Sequence, residues 1–474
     1  MAVVSLFRKI ILLRVPVLAA ILTLIFLYTW SSSTAVIPGK SCDSCFNTQP
    51  NNHSKEESWK NPAYKEIEKL VKLQRSWTSS PSSSNCQGRG IYVYELPARF
   101  NKELLGECGK MTGFGWADFC KYLSNGGLGE AVEKLGRGWH NTHQFALDPI
   151  FHSRFANHKC RVRQQRQASL FYVPYYGGLD VLRWRSKNVS TRVKDSLALD
   201  LLRWLRTQEP WRRNAGRDHV FVLGTITWDF RKLDPHSWGT NMFLLQEEMQ
   251  NPMKLLIERQ PWHVNDVGVP YPTFFHPQTD ADIVNWQLKV SESRRSSVVA
   301  FAAANRATPE SIRSILIEQC TNIGECKFYN CEGGGCDRAE AIVELFMESE
   351  FCLQPPGDTA TRKSVFDSLV SGCIPVVFDP FTAYYQYPWH LPEDGRLYSV
   401  MMGIEEVRNK SVNVVDRLVK IPVRVREDMR RYIIHHLLPR LIYGDAQSQF
   451  HDFQDAFSVT VNSLIGRLTT LNGK

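Results

Sequence analysis

Short apolar runs alternate with amphipathic stretches along most of the chain, and the alternation comes in two series. In the first, "IYVYEL", "ASLFYVPYY" and "DHVFVLG" read as strands, with helical spacing from Leu128 to Leu135 and over "VKDSLALDLLRWLRTQ". The second starts near Arg294. There "SSVVAFAAA", "CKFYNC", "EFCLQPP" and "CIPVVF" read as strands, and "PESIRSILIEQC" and "AEAIVELFMES" as helices. Strands alternating with helices predict a parallel sheet with both faces covered. The expected fold class is therefore α/β, with two doubly wound, Rossmann-like units facing a cleft, and ligands at the carboxyl ends of the strands. The expected bounds are residues 89–293 for the first unit and 294–474 for the second. The Pro- and aromatic-rich connection from Pro261 to Arg295 is the candidate hinge.

The 474 residues suffice for two separate cores. A hydrophobic content of 43% with 22% charged residues excludes a disordered chain. The net charge of +9 fits a basic surface or a groove for an anionic ligand. No zinc-finger spacing or basic heptad region is present, which argues against a nucleic-acid partner.

Ahead of the body, Arg8, Lys9 and Arg14 precede an uncharged stretch from Val15 to Pro38 that is apolar through Trp30. That length is enough for one membrane crossing. Residues 1–14 then read as a cytosolic tail, 15–37 as a transmembrane signal anchor and 38–88 as a polar lumenal stalk with one helix around Tyr64 to Arg75. Basic residues before the span put the body in the lumen; the rival is a signal peptide cut near Ser31 to Ala35. Asn52, Asn188 and Asn409 open glycosylation tripeptides. Twelve cysteines suit an oxidising compartment. There the cluster Cys320, Cys326, Cys331 and Cys336 predicts disulfides rather than zinc, and Cys42 and Cys45 a disulfide in the stalk.

The stretch from Phe351 to Pro380, "FCLQPPGDTATRKSVFDSLVSGCIPVVFDP", carries the chemistry. "FCLQPP" is a buried strand, and "PPGDTAT" cannot continue it because Pro lacks an amide proton and Gly frees the turn. Thr361 is placed to cap the following helix, Val365, Phe366, Leu369 and Val370 share one face, and Gly372 ends it. The helix N-terminus with Arg362 and Lys363 makes a diphosphate site, and Asp367, one turn deeper, suits a ribose diol. The residues equally allow a solvated helix whose Lys363 and Asp367 merely pair at i,i+4.

This stretch resembles the C-terminal signature of the exostosin-like glycosyltransferases, family forty-seven. "IYVYELPARFN", "WHNTHQFALDPIFHSRF", "GRDHVFVLGTITWDFR", "PYPTFFHP", "FAAANRATPESIRSILIEQC" and "FTAYYQYPWHLPEDGRLYSVMM" further resemble the plant xyloglucan galactosyltransferase clade. The resemblance implies inverting Golgi membrane enzymes of the GT-B fold with one N-terminal anchor. It implies UDP-galactose as donor and a xyloglucan acceptor, and it admits homo- or hetero-oligomers with other Golgi glycosyltransferases. Arg306, in "AAANRA" where the family more usually has "AGAPR", is then expected to face the donor diphosphate. Arg362, Lys363 and Ser364 would assist, Asp367 would hold the ribose, and Gly357 and Asp358 would shape the loop.

An inverting transfer needs a general base and stabilisation of the leaving UDP. The base is expected from the first half, with Asp148 and Asp229 ranked ahead of His140 and His143; Asp148 matches a family position that is usually Glu. Asp280-Ala281-Asp282 fits a metal-binding Asp-x-Asp literally, but after Thr279 it reads as a helix start. No metal and no cofactor are expected. The aromatics of "PYPTFF" and "AYYQYPWHLP" offer rings to stack on a glucan if exposed, and are equally ordinary core residues. Two other functions stay open: transfer of galacturonic acid or arabinose to xyloglucan or another hemicellulose, and a non-catalytic Golgi scaffold.

Overall fold

The computed structural model describes residues 62–79, 86–111, 119–185, 187–232, 239–240, 243–305, 308 and 310–472. The expected tail and membrane span, Cys42, Cys45, Asn52 and Arg306 lie outside the described residues. No helix among the described residues is long and apolar enough to cross a membrane.

A helix, α1 (Pro62–Ser76), precedes the first sheet. The sheet is built from β1 (Ile91–Val93), β2 (Arg161–Val162), β3 (Leu170–Val173), β4 (His219–Val222), β5 (Met253–Leu256) and β6 (Asp266–Gly268). Helices α2 (Leu147–Ala156), α3 (Gly177–Leu182) and α4 (Thr191–Thr207) connect its strands. All pairings are parallel, in the order β2-β1-β3-β4-β5-β6. Every residue of β3 and β4 is buried, as expected of strands covered on both faces. α4 turns Ala198, Leu201, Leu202 and Leu205 inward at helical spacing.

Helix α5 (Asp280–Glu292) leads to the second sheet: β7 (Ser297–Ala303), α6 (Ile312–Thr321), β8 (Cys326–Asn330), α7 (Ala339–Met347), β9 (Ser349–Gln354), α8 (Lys363–Val370), β10 (Ile374–Val377) and β11 (Val400–Met401). It too is all parallel, in the order β11-β10-β9-β7-β8. A last helix, α9 (Ala456–Asn472), ends the described chain. The expected fold of two parallel α/β sheets is thus observed.

Several boundaries differ from expectation. Leu128 to Leu135 is not a helix: it holds a bridge from Ala131 to His140 and one 3-10 turn. Gly129, at φ +86°, passes so close to the backbone that a Cβ would sit 2.3 Å from the Asn141 oxygen. The connection from Pro261 to Arg295 contains β6 and α5 rather than a bare hinge. A division at residue 293 separates the sheets but not the helices. α5 packs on the second half, where the Trp286 indole donates to Val370 O (2.9 Å) and Gln287 to Ile434 O (2.8 Å). α9 returns to the first half through Arg467, which donates to Arg217 O and Asn265 Oδ1, both at 2.8 Å.

α1 lies where a stalk helix was expected, and it is docked. Gln74 donates to Val264 O (2.8 Å) and Asp266 O (3.0 Å) in the first half, while Arg75 donates to Leu391 O (2.7 Å) in the second. Among the described residues, five disulfides join Cys86–Cys160, Cys108–Cys120, Cys320–Cys326, Cys331–Cys336 and Cys352–Cys373, so the predicted cysteine cluster is bridged.

Candidate active site

Parallel sheets bind ligands where the strand order reverses. In the second sheet that place is between β7 and β9, and a cavity of about 310 Å³ opens there. Ala303 and Ala304 at the end of β7, and Gln354 and Pro355 at the end of β9, line it. The start of α8 contributes Arg362, Lys363, Ser364 and Asp367, and the first half closes the other side with Tyr122, Thr142, His143 and Phe274.

The turn before α8 is shaped by a close approach. Arg362 Nε donates to Pro355 O at 2.7 Å, and its buried Nη2 has no hydrogen-bond partner among the described residues. A Cβ on Gly357 would lie 1.8 Å from that Nη2 and 2.5 Å from Arg313 Nη2, so a larger residue there would displace both guanidinium groups. Asp358 is exposed and lies within the electrostatic reach of Arg185. Ser364 donates to Gln354 Oε1 at 2.5 Å. Lys363 Nζ donates to both oxygens of Asp367 at 2.8 Å and sits 3.2 Å over the Phe274 ring. Burial lowers the pKa of Lys363 and raises that of Asp367, and each is held back by the other's charge. Lys363 and Asp367 do pair at i,i+4, but the pair is buried in the cavity wall and does not lie on a solvated face.

Thr361 does not cap α8. Arg362 occupies the cap position without a side-chain cap bond, and the Thr361 hydroxyl donates instead to Glu258 of the first half. The rings offered for stacking on a glucan are mostly core: Tyr271, Phe275, Tyr387 and Trp389 are buried, and Phe274 alone of "PYPTFF" lines the cavity.

The proposed bases occupy different environments. Asp148, in the first turn of α2, is fully buried and does not line the cavity. Its Oδ1 accepts the Gly224 amide at 3.2 Å, and a Cβ on Gly224 or Gly178 would come within 2.6 or 2.8 Å of Oδ2. Burial pushes its pKa well above the carboxylate range, against the pull of those amides. Asp148 thus sits behind the cavity wall, packed against the glycine backbones that follow β3 and β4.

Asp229 lies in a 3-10 turn after β4, also buried and likewise outside the cavity lining. Burial raises its pKa to about 7, the charge of Glu258 acts in the same direction, and Lys232 and Arg185 oppose it. Thr225 stands alongside, but neither Asp229 oxygen has a well-directed hydrogen bond among the described residues.

His143 lines the cavity, and burial drives its pKa down to about 3, with the Lys363 and Arg185 charges next. Its Nδ1 accepts the Phe145 amide at 3.2 Å, so the neutral ring carries its proton on Nε2 and is a donor. Burial likewise lowers His140.

Asp280 and Asp282 do start a helix. Thr279 and Asp282 form a capping box, Asp282 pairs with Arg137, and Asp280 accepts the His451 amide at 2.8 Å. Among the described residues no group of three or more His, Cys, Asp or Glu is placed to hold a metal ion. Asn188 and Asn409 are exposed.

The chain belongs to the exostosin GT47 family, whose domain is matched over residues 85–418. It is 55% identical over 410 residues to Xyloglucan-specific galacturonosyltransferase 1 of Arabidopsis thaliana, covering 85% of this chain and 61% of that protein. It is 53% identical over 407 residues to Probable xyloglucan galactosyltransferase GT20 (84% and 72% covered), and 40% identical over 405 residues to Xyloglucan galactosyltransferase MUR3 (83% and 64%), both of the same plant. The first of these relatives is thus matched over about three fifths of its length.

Proposed function

We propose that the chain is an inverting glycosyltransferase that moves galactose from UDP-galactose to xylosyl side chains of xyloglucan. The cavity at the strand-order reversal carries this reading. A nucleotide sugar brings a diphosphate and a ribose diol. The α8 amides, the Arg362 guanidinium and the Lys363 ammonium suit the first, and the Asp367 carboxylate suits the second. Asp229 is assigned as the base: it comes from the first half, and a carboxyl with a pKa of about 7 is half ionised near neutral pH. Charge on the leaving UDP falls to Arg362, Arg313 and Arg306, so transfer should persist in excess chelator. Complete loss in EDTA, restored by manganese, would count against this assignment.

A second reading, transfer of galacturonic acid, is favoured by the 55% identical relative named for that sugar. Its donor brings one more carboxylate, for which Arg313 lies in the same cavity wall. Incubation with UDP-galactose, UDP-galacturonic acid and UDP-arabinose plus xyloglucan oligosaccharides decides between them by product mass. A hexose gain supports the first reading, a hexuronic acid gain the second, and no gain with any donor sinks both.

The proposed setting is the Golgi membrane with the body lumenal. The apolar stretch from Val15, the five disulfides and the exposed Asn188 and Asn409 support it. Protease applied to sealed Golgi vesicles should leave the body intact until detergent is added.

A further inference from the structure

Glu258 follows β5 at the carboxyl edge of the first sheet, where it bridges to Ile226. Only 3% of the residue is exposed. Its Oε2 accepts two bonds from a residue 103 positions away, the Thr361 amide at 2.9 Å and the Thr361 hydroxyl at 2.5 Å. Its Oε1 accepts the Trp228 indole N–H at 3.2 Å. The one proton of the Thr361 hydroxyl goes to the carboxylate, so the Tyr271 phenol, 2.8 Å from that hydroxyl, is the donor in their bond. Thr361 directly precedes Arg362 and Lys363, which open α8 into the cavity. A first-half carboxylate therefore grips the turn that carries the second half's cations. All three of its donor groups are neutral, which leaves its charge to act on its surroundings.

We infer that Glu258 is a positioning residue that couples the two walls of the cleft, holding the donor-binding turn of the second half and acting through its charge on the proton acceptor of the first. The inference rests on the proposed roles of Asp229 and of the α8 turn. The charges that bear on Asp229 are Lys232 and Arg185, which favour its ionised form, and Glu258, which disfavours it. Asp379 also feels Glu258: burial raises its carboxyl and the Glu258 charge adds to the rise.

The test uses the full chain with Glu258→Gln, Thr361→Val and Asp229→Asn, UDP titrated by calorimetry, and initial rates measured against pH. Glu258→Gln should weaken UDP binding about tenfold and raise the donor KM while leaving the acceptor KM in place, the effect of lost hydrogen bonds to a charged group. It should also move the acid limb of the rate profile to lower pH, because Asp229 ionises more easily without a negative neighbour. Thr361→Val should weaken UDP binding by a smaller factor and leave the acid limb where it is. Wild-type UDP affinity in a folded Glu258→Gln protein overturns the inference, and so does an unmoved acid limb. If Glu258→Gln does not fold, wild-type UDP affinity in Thr361→Val overturns it. If Asp229→Asn keeps full transfer, the reading of Asp229 has failed separately, and the UDP arm alone then decides whether Glu258 holds the turn.

Discussion

In the first sheet the crevice where the strand order reverses, between β1 and β3, is filled; in the second, between β7 and β9, it is the cavity. The fill is specific. Phe100 is fully buried and its carbonyl accepts the Tyr176 amide at 3.0 Å, while the Asn101 side chain donates to Pro174 O at 3.0 Å. The chain leaving β1 thus folds back over the end of β3. At the matching place in the second sheet, β7 ends in Ala303 and Ala304, and β9 runs into Pro355 and the glycine turn. The same topology supplies a crevice twice, and the residues just past the strands decide whether it is a core or a binding site. The two halves line that cavity differently: the second half brings Arg313, Arg362, Lys363 and Asp367 to it, and the first half Tyr122, Thr142, His143 and Phe274.

That contrast can be broken most directly at Asp229. Asp229→Asn should lower kcat by about 10²–10⁴-fold, the usual worth of a general base, with UDP affinity unchanged. Equal losses of kcat and UDP affinity would mean that the first half also binds the donor. Next in size is Phe100→Ala, which hollows the filled crevice. It should cost about 3–5 kcal/mol in chemical denaturation, and the folded protein should bind UDP as the wild type does. A second UDP equivalent bound by that variant would show that the fill alone had kept the first crevice from acting as a site. Ala303→Leu tests the converse. Ala303 is buried as well as lining the cavity, so overpacking should cost about 1–3 kcal/mol of stability and the folded protein should bind UDP more weakly; unchanged affinity would move the donor elsewhere.

The smallest effect sharpens the electrostatic side. The Asp229 carboxyl rises from 3.8 to about 7 on folding, so the folded state holds the proton more tightly. Its contribution to stability is full below pH 3.8 and is lost as pH climbs to about 7. Asp229→Asn should therefore gain in melting temperature relative to the wild type between pH 5 and pH 8. A constant difference across that range would mean that the carboxyl is not raised.

Much of the scaffold was legible because it is local. The apolar runs of β1, β3, β4 and β7 to β10 stand where they were expected, and α8 buries Val365, Phe366, Leu369 and Val370 as its spacing demands. Gly372, at φ +67°, closes that helix. β5 and β6 escaped notice because charge hides them: Lys254 and Asp266 are buried, and Asp266 is paired with Lys254 at 3.3 Å and Arg231 at 2.7 Å. Each strand is short, and one charge within it interrupts an otherwise apolar run.

The sequence by itself determined what repeats over a few residues: strand and helix periods, the glycine turn before α8, and the placing of cations and Asp367 on one short helix. It also carried the family. Only the tertiary structure decided how the environments of the two carboxylates differ. Asp148 and Asp229 read alike along the chain, yet one is clamped under glycine backbones and the other lies among Lys232, Arg185 and Glu258. Proton affinity depends on desolvation and on charges brought from distant positions. The grip of Glu258 on Thr361 spans 103 residues for the same reason: a hydrogen bond across a cleft exists only once both halves have folded.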